Sequence, residues 1–276
     1  MIGLSFLITF ESFISSCSKD KLFPKYARLE LDSSIFNCFS SIFISCAVDD
    51  GSFKFKANSS FLKTELTIKK ISNIKKLMKH FHADEYGHET NIENSDLGYG
   101  WYHYGMLRLL KPKRVLCVGS RHGYIPAILA QACKDNKFGQ VDFVDAGFGL
   151  DEDNHWTGVG FWKTDEGRNV FRNFGLGGHI SVYVQTTAEF VKKYASNRYE
   201  YIYIDGDHSY KGANTDYKFF WPMLRSNGLM AFHDIGVKGK NSEGEYGVWR
   251  LWKKLKKGKQ TFELPFSGSG LGVVQK

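Results

Sequence analysis

From Leu109 onward, short apolar runs alternate with segments of helical apolar spacing, and this alternation limits the possible folds more than any other feature of the chain. A helix placed between two strands carries the chain back over the sheet, so that the second strand runs parallel to the first and the helices cover both faces. The pattern predicts strands over 114–118, 141–144, 180–184, 201–204, 229–232, 261–264 and 271–274. It predicts helices over 125–133, 166–174, 188–195, 213–224 and 246–257. The expected class is α/β: a doubly wound, mostly parallel, seven-stranded sheet with helices on both faces, preceded by an N-terminal extension. Sheets of this kind bind ligands beyond the carboxyl ends of their strands, where the strand order reverses. The residues just after each strand are therefore the ones to examine.

The extension is expected to span residues 1–65, with the main domain over 66–276. Its Ser, Phe and Ile residues show no sustained period, although Ser52 to Lys56 alternates like a short strand, and no role can be read from it. Ile68, Ile71, Ile74, Met78 and Phe81 then fall three or four apart with lysines between them, which predicts a lead-in helix. The opening MIGLSFLITFESFISS is apolar but has no basic lead and carries Glu11, so it reads as a packing element rather than a leader or a membrane span.

A chain of 276 residues with 42% hydrophobic content can bury one substantial core and a small appendage. The five cysteines, Cys17, Cys38, Cys46, Cys117 and Cys133, show neither zinc spacing nor paired motifs, which fits a reducing cytoplasm. The net charge of +8 comes from dispersed lysines. The two densest lysine groups lie on helical segments and read as solvated faces, not as a nucleic-acid surface.

Three strand ends carry the chemistry. The strand RVLCV is followed by Gly119-Ser120-Arg121-His122-Gly123 and then by a helix. Glycines let backbone turn sharply against a ligand, and the helix start offers free N–H groups. Any tight strand-to-helix turn would use the same glycines, so position matters more than composition. The next strand ends at Asp145, where a carboxylate can accept both hydroxyls of a ribose. Asp142, which strand alternation turns away from the tip, reads as a surface acid. YIYI then delivers Asp205-Gly206-Asp207-His208, and LMAF delivers His233-Asp234. Two strand tips thus bring carboxylates and imidazoles together, as needed to hold a divalent cation or to set a base beside a nucleophile. The competing reading is that Asp205 and Asp234 simply cap the turns that follow.

The motifs YIDGDHSYKG, with Asp216 downstream, SNGLMAFHDI and GVWRLW resemble the class I S-adenosylmethionine-dependent methyltransferases of the catechol, antibiotic and sugar O-methyltransferase type, across about residues 96–276. The resemblance implies a Rossmann-like fold and S-adenosylmethionine held by Gly119, Ser120, Gly123 and Asp145. Thr186, with Gln185 beside it, is implied near the adenine. It also implies Mg2+ or another divalent cation on Asp205, Asp234 and His233. The chain departs from the family twice: His208 stands where catechol-type enzymes carry a catalytic lysine, and His233 replaces an oxygen ligand that magnesium prefers.

The function expected is methyl transfer to a small hydroxylated acceptor, a sugar or secondary metabolite, with His208 and Asp205 as the catalytic pair. Two segments, GYGWYHY at Gly98–Tyr104 and the Gly149–Asp165 stretch with Trp156 and Trp162, are expected to enclose the site. An NAD-dependent oxidoreductase is the second reading, although GSRHG lacks G-x-G-x-x-G spacing. A non-catalytic Rossmann-like binding module is the third. Whether the chain forms a homo-oligomer is left open.

Overall fold

Strand and helix boundaries follow from where apolar side chains can be buried on two faces or on one. A computed structural model describes residues 74–85, 87–149, 160–242, 244–264 and 268–276. Of the N-terminal region it describes the backbone of four strands: β1 (Ala27–Glu30), β2 (Phe43–Asp49), β3 (Ser52–Ser59) and β4 (Leu62–Ile68). The chain divides into two compact units, residues 1–72 and 73–276. In the first, the four strands form an antiparallel sheet in the order β1-β2-β3-β4. β2 and β3 pair up to Asp49 and Ser52, and the Asp-Gly between them is the sequence signal for a two-residue hairpin.

The lead-in helix starts later than its spacing predicts. Ile68 ends β4, and α1 spans Ile74–His80, with Leu77, Met78 and Phe81 buried. LKTELTI alternates with a period of two, the apolar residues from Ile68 onward recur every three or four, and at Ile68 the strand pattern prevails.

In the second unit the strands are β5 (Arg114–Val118), β6 (Gln140–Asp145), β7 (Ile180–Val184), β8 (Tyr199–Ile204), β9 (Leu224–His233), β10 (Thr261–Leu264) and β11 (Leu271–Gln275). They form one seven-stranded sheet in the order β10-β11-β9-β8-β5-β6-β7. β11 pairs antiparallel with both neighbours, while the pairs from β9 to β7 are parallel. The helices are α2 (Tyr99–Leu110), α3 (Tyr124–Asn136), α4 (Asp165–Asn173), α5 (Thr187–Tyr194), α6 (Tyr210–Phe220) and α7 (Val248–Leu255). This is the expected doubly wound α/β class. Val115, Leu116, Cys117 and Val118 are all buried, as a strand covered on both faces requires. The chain leaves β5 toward β6 and β7 and later returns on the other side through β8 and β9, so the order reverses between β5 and β8.

GYGWYHY is not a lid loop. Apart from Gly98 it forms the first turns of α2, which bury Tyr99, His103, Tyr104 and Leu107. The glycines suggested a loop, but the aromatics recur three and four residues apart, which is a helical stripe. Gly105 lies inside this helix, and a Cβ there would meet nothing within 4 Å. Gly105→Ala is therefore expected to stabilise the unit by about 0.5–1 kcal/mol, seen as a melting temperature about 1–4 °C higher.

Candidate active site at the strand tips

Gly119 follows β5 with φ +76°, and its N–H donates to the Val144 carbonyl at 2.9 Å. A Cβ at this position would lie 2.3 Å from the Asp205 carbonyl oxygen and 2.6 Å from Gly206 Cα. The glycine loop and the β8 tip thus touch backbone to backbone at the point where the strand order reverses. Gly123 (φ +91°) closes the loop, and its N–H donates to Ser120 Oγ at 3.0 Å. The Trp162 indole N–H donates to the Ser120 carbonyl at 2.6 Å, and its ring lies against the Gly123 Cα. Trp162 is buried. It props the loop from below rather than covering the site, which corrects the lid expectation for this residue. Trp156 lies outside the described residues.

Asp145 sits at the tip of β6 with one carboxylate oxygen bonded to the glycine loop and the other to the turn that follows the strand. Oδ2 accepts from Ser120 N at 3.1 Å and Oδ1 from Gly147 N at 2.7 Å. Burial raises its carboxyl to about 6 despite these two N–H bonds, which favour the anion. Each oxygen keeps a lone pair for a further donor. Asp142 points away from the tip but is not a surface acid. It is buried among Arg114, which it pairs with, and the Tyr199 and Tyr183 hydroxyls at 2.7 and 3.4 Å. Burying a carboxylate is feasible because these donors satisfy it.

Thr186, after β7, is the N-cap of α5. Its Oγ1 accepts from Glu189 N at 3.2 Å, and its own N–H donates to Glu189 Oε2 at 2.8 Å, forming a capping box. The neighbouring Gln185 has its Nε2 buried with no partner, which leaves a side-chain donor at this end of β7.

The second group gathers at the tips of β8 and β9. Asp205 Oδ1 lies 3.2 Å from His233 Nδ1, and its Oδ2 accepts from the Tyr203 hydroxyl at 3.0 Å. Asp234 Oδ1 lies 3.3 Å from the same His233 Nδ1, while its Oδ2 hydrogen-bonds His208 Nδ1. His208 Nε2 is 3.9 Å from Asp205 Oδ1. Asp234 adopts φ +58°, a left-handed conformation uncommon for a residue with a side chain. Asp207 keeps the bland role: it caps the turn into α6 by accepting from Ser209 N at 2.8 Å.

Burial works against every charge here, and the mutual pairing outweighs it. Asp205 is pushed up by burial, but the His233 charge beside it brings it down to about 2. Asp234 falls below the usual carboxylate range for the same reasons. His208 is lowered by burial and raised more by its bond to Asp234, so its net shift is upward. His233, lowered by burial but flanked by both carboxylates, is raised well above 6.5.

Sequence reasoning missed His88. It is 4% exposed, its Nδ1 has no partner, and its ring centroid lies 4.7 Å from that of His233. Burial, and then the His233 charge, lower it to about 3. No periodicity marks His88, because it sits in an irregular stretch between α1 and α2. The carbonyl beside it, Gly87 O, accepts from His233 Nε2 at 3.1 Å and from Ser269 Oγ at 2.5 Å.

Fold and site together define a Rossmann-like domain with a nucleotide-type loop beside an acid and imidazole cluster. Residues 116–235 match a family model described as "Methyltransferase domain", in line with the resemblance of the chain's motifs. No curated protein matches the chain. Among solved structures it is similar in fold to an O-methyltransferase from Bacillus cereus in complex with S-adenosylhomocysteine: TM-score 0.53, 13% identity, 76% of this chain and 93% of that one. It is likewise similar to the O-methyltransferase TomG of Streptomyces achromogenes, involved in tomaymycin synthesis and solved with S-adenosylmethionine: TM-score 0.51, 11% identity, 75% and 90% covered. A third is the S-adenosylhomocysteine-bound methyltransferase PaMTH1 of Podospora anserina, with TM-score 0.50, 15% identity, and 72% and 86% covered.

Proposed function

We propose that the chain transfers a methyl group from S-adenosylmethionine to a hydroxyl oxygen of a small acceptor, a sugar or secondary metabolite. The observation that carries this reading is the backbone contact between Gly119 and Asp205, which fixes the nucleotide-type loop beside the acid and imidazole cluster. The loop residues fit the cofactor. Asp145 offers both carboxylate oxygens, and Gln185 keeps a buried donor without a partner. Bound there, the cofactor supplies an electrophilic methyl on a sulfonium.

Asp234 orients His208. With Nδ1 bound to the Asp234 carboxylate, Nε2 carries the lone pair that can take a proton. With an acceptor hydroxyl beside it, His208 Nε2 would take the proton that the oxygen loses on methylation. Asp205, held by Tyr203, favours the imidazolium that results. In-line displacement needs little beyond such positioning. Asp205, Asp234 and His233 also fit a divalent cation, because His233 Nδ1 faces two carboxylate oxygens and makes no hydrogen bond of good geometry. Such an ion would lower the pKa of the acceptor hydroxyl.

The free, buried Cys117 and Cys133 suit a reducing compartment, and we place the enzyme in the cytoplasm. Among the described residues no helix is long and apolar enough to cross a membrane. Calorimetric titration of the folded chain with S-adenosylhomocysteine tests the central reading. Saturable one-to-one binding is expected, and absence of heat and of thermal stabilisation would overturn it.

A further inference from the structure

The tautomer of His233 is set by its surroundings. Its Nε2 lies 3.1 Å from the Gly87 carbonyl, which can only accept, so Nε2 carries a hydrogen. Nδ1 is then aimed at Asp205 Oδ1, 3.2 Å away, and Asp234 Oδ1, 3.3 Å away. A bare lone pair between two carboxylate oxygens is repelled, so a proton or a metal cation has to sit among these three atoms. A second proton on His233 would meet that need, but it leaves His88 unexplained. His88 is buried, its Nδ1 has no hydrogen-bond partner, and one of its ring nitrogens lies within 4.8 Å of both the Asp205 and His233 ligand atoms. One ion held jointly accounts for both histidines.

The donor set also selects the ion. Two imidazoles with a carboxylate suit zinc, iron, cobalt or nickel, whereas magnesium keeps to oxygen ligands and water. The 3.2 Å separation of His233 Nδ1 from Asp205 Oδ1 matches the roughly 3.3 Å between ligands of a tetrahedral ion with bonds of about 2.0–2.1 Å. The hydrogen bond from Nε2 to a backbone carbonyl is the support that metal-bound imidazoles ordinarily have.

We propose that the strand-tip cluster is a transition-metal site in which His88, from the segment before α2, joins His233 and Asp205 as a ligand. The proposal builds on the methyltransferase reading but names an ion class and a ligand that the reading does not contain. Ion binding would also tie the segment around Gly87 and His88 to β9.

The test uses the full chain stripped with a chelator and titrated with Co2+, whose visible bands report its coordination. One equivalent is expected to bind with tetrahedral-type bands, to be displaced by Zn2+, and to resist a thousandfold excess of Mg2+. His88→Gln is expected to weaken Co2+ binding by about tenfold or more. His82→Ala, which disrupts the exposed His82, Glu85 and His122 group, is expected to leave it unchanged. Should His88→Gln fail to fold, X-ray absorption of the Zn2+-loaded wild type counts imidazoles directly: two support the site, and one or none overturn it. The proposal also falls if Mg2+ displaces Co2+ at parity, if His88→Gln binds Co2+ like the wild type, or if His82→Ala abolishes the bands. S-adenosylhomocysteine titrated into the same stripped protein separates the two readings. Cofactor binding without Co2+ binding overturns the metal site alone, and Co2+ binding without cofactor binding overturns the methyltransferase reading alone.

Discussion

Asp145→Ala is expected to weaken S-adenosylhomocysteine binding by about a hundredfold or more. Each hydrogen bond to a charged carboxylate contributes about 1.5–3 kcal/mol, and two ribose hydroxyls would be lost together. The substitution also strips Ser120 N and Gly147 N of their acceptor, so the loop that must receive the cofactor loosens. Titration with pH separates these effects. Burial holds the Asp145 carboxyl at about 6 against an ordinary 3.8, so the fold favours its neutral form. The resulting stabilisation of the unliganded protein is fully present below about pH 4 and is lost as pH rises through 6. Ligand binding has the opposite sign, because ribose hydroxyls donate to the anion. Affinity for S-adenosylhomocysteine should therefore rise by up to about tenfold per pH unit approaching 6 and level off above it. Asp145→Asn should bind weakly with this slope removed. Calorimetry from pH 5 to 8 on wild type and both variants decides the matter, and a wild-type affinity flat across pH 6 would remove Asp145 from the ribose site.

The contrast between Asp145 and His88 shows what this sequence reveals and what it conceals. Strand tips are legible because each follows an apolar run whose length and period are local, and the functional edge of a parallel sheet is then fixed by topology. Gly119, Asp145, Asp205 and His233-Asp234 all stand at such tips, so their neighbourhood follows from counting. The irregular stretches are not legible in this way. His88 reaches the site from a segment with no period, and Trp162 supports the glycine loop from a turn 42 residues downstream of Ser120. Composition misled at GYGWYHY, where two glycines outweighed a helical aromatic stripe. It misled again at Asp142, where alternation gave the right direction but could not show that Arg114, Tyr183 and Tyr199 wait there to satisfy a buried carboxylate. What a strand tip carries can be read along the chain; what packs beneath it depends on partners far away in sequence.

Gly119→Val is expected to cost more than about 4 kcal/mol, the range reserved for substitutions that force apart well-packed backbone. Its φ of +76° is strained for any side chain. The added Cβ would also lie 2.3 Å from the Asp205 carbonyl and 2.6 Å from Gly206 Cα. These are backbone atoms of a central strand tip, tied to β5 by the Asp205 N–H bond to Val118 at 2.8 Å, so they cannot rotate aside. Gly123 provides the comparison. Its φ is similarly positive, but its Cβ would meet the Trp162 and Phe171 rings at 2.9 and 3.1 Å, and side chains can shift. Gly119→Ala should therefore destabilise more than Gly123→Ala in chemical denaturation, although both lose cofactor affinity. The ranking depends only on whether the loop rests on backbone or on side chain. If the two alanine variants unfold at the same denaturant concentration, the contact between Gly119 and Asp205 does not hold the two halves of the site together. If Gly119→Ala is clearly the weaker protein, the loop and the acid cluster form one rigid unit, and displacing either displaces the other.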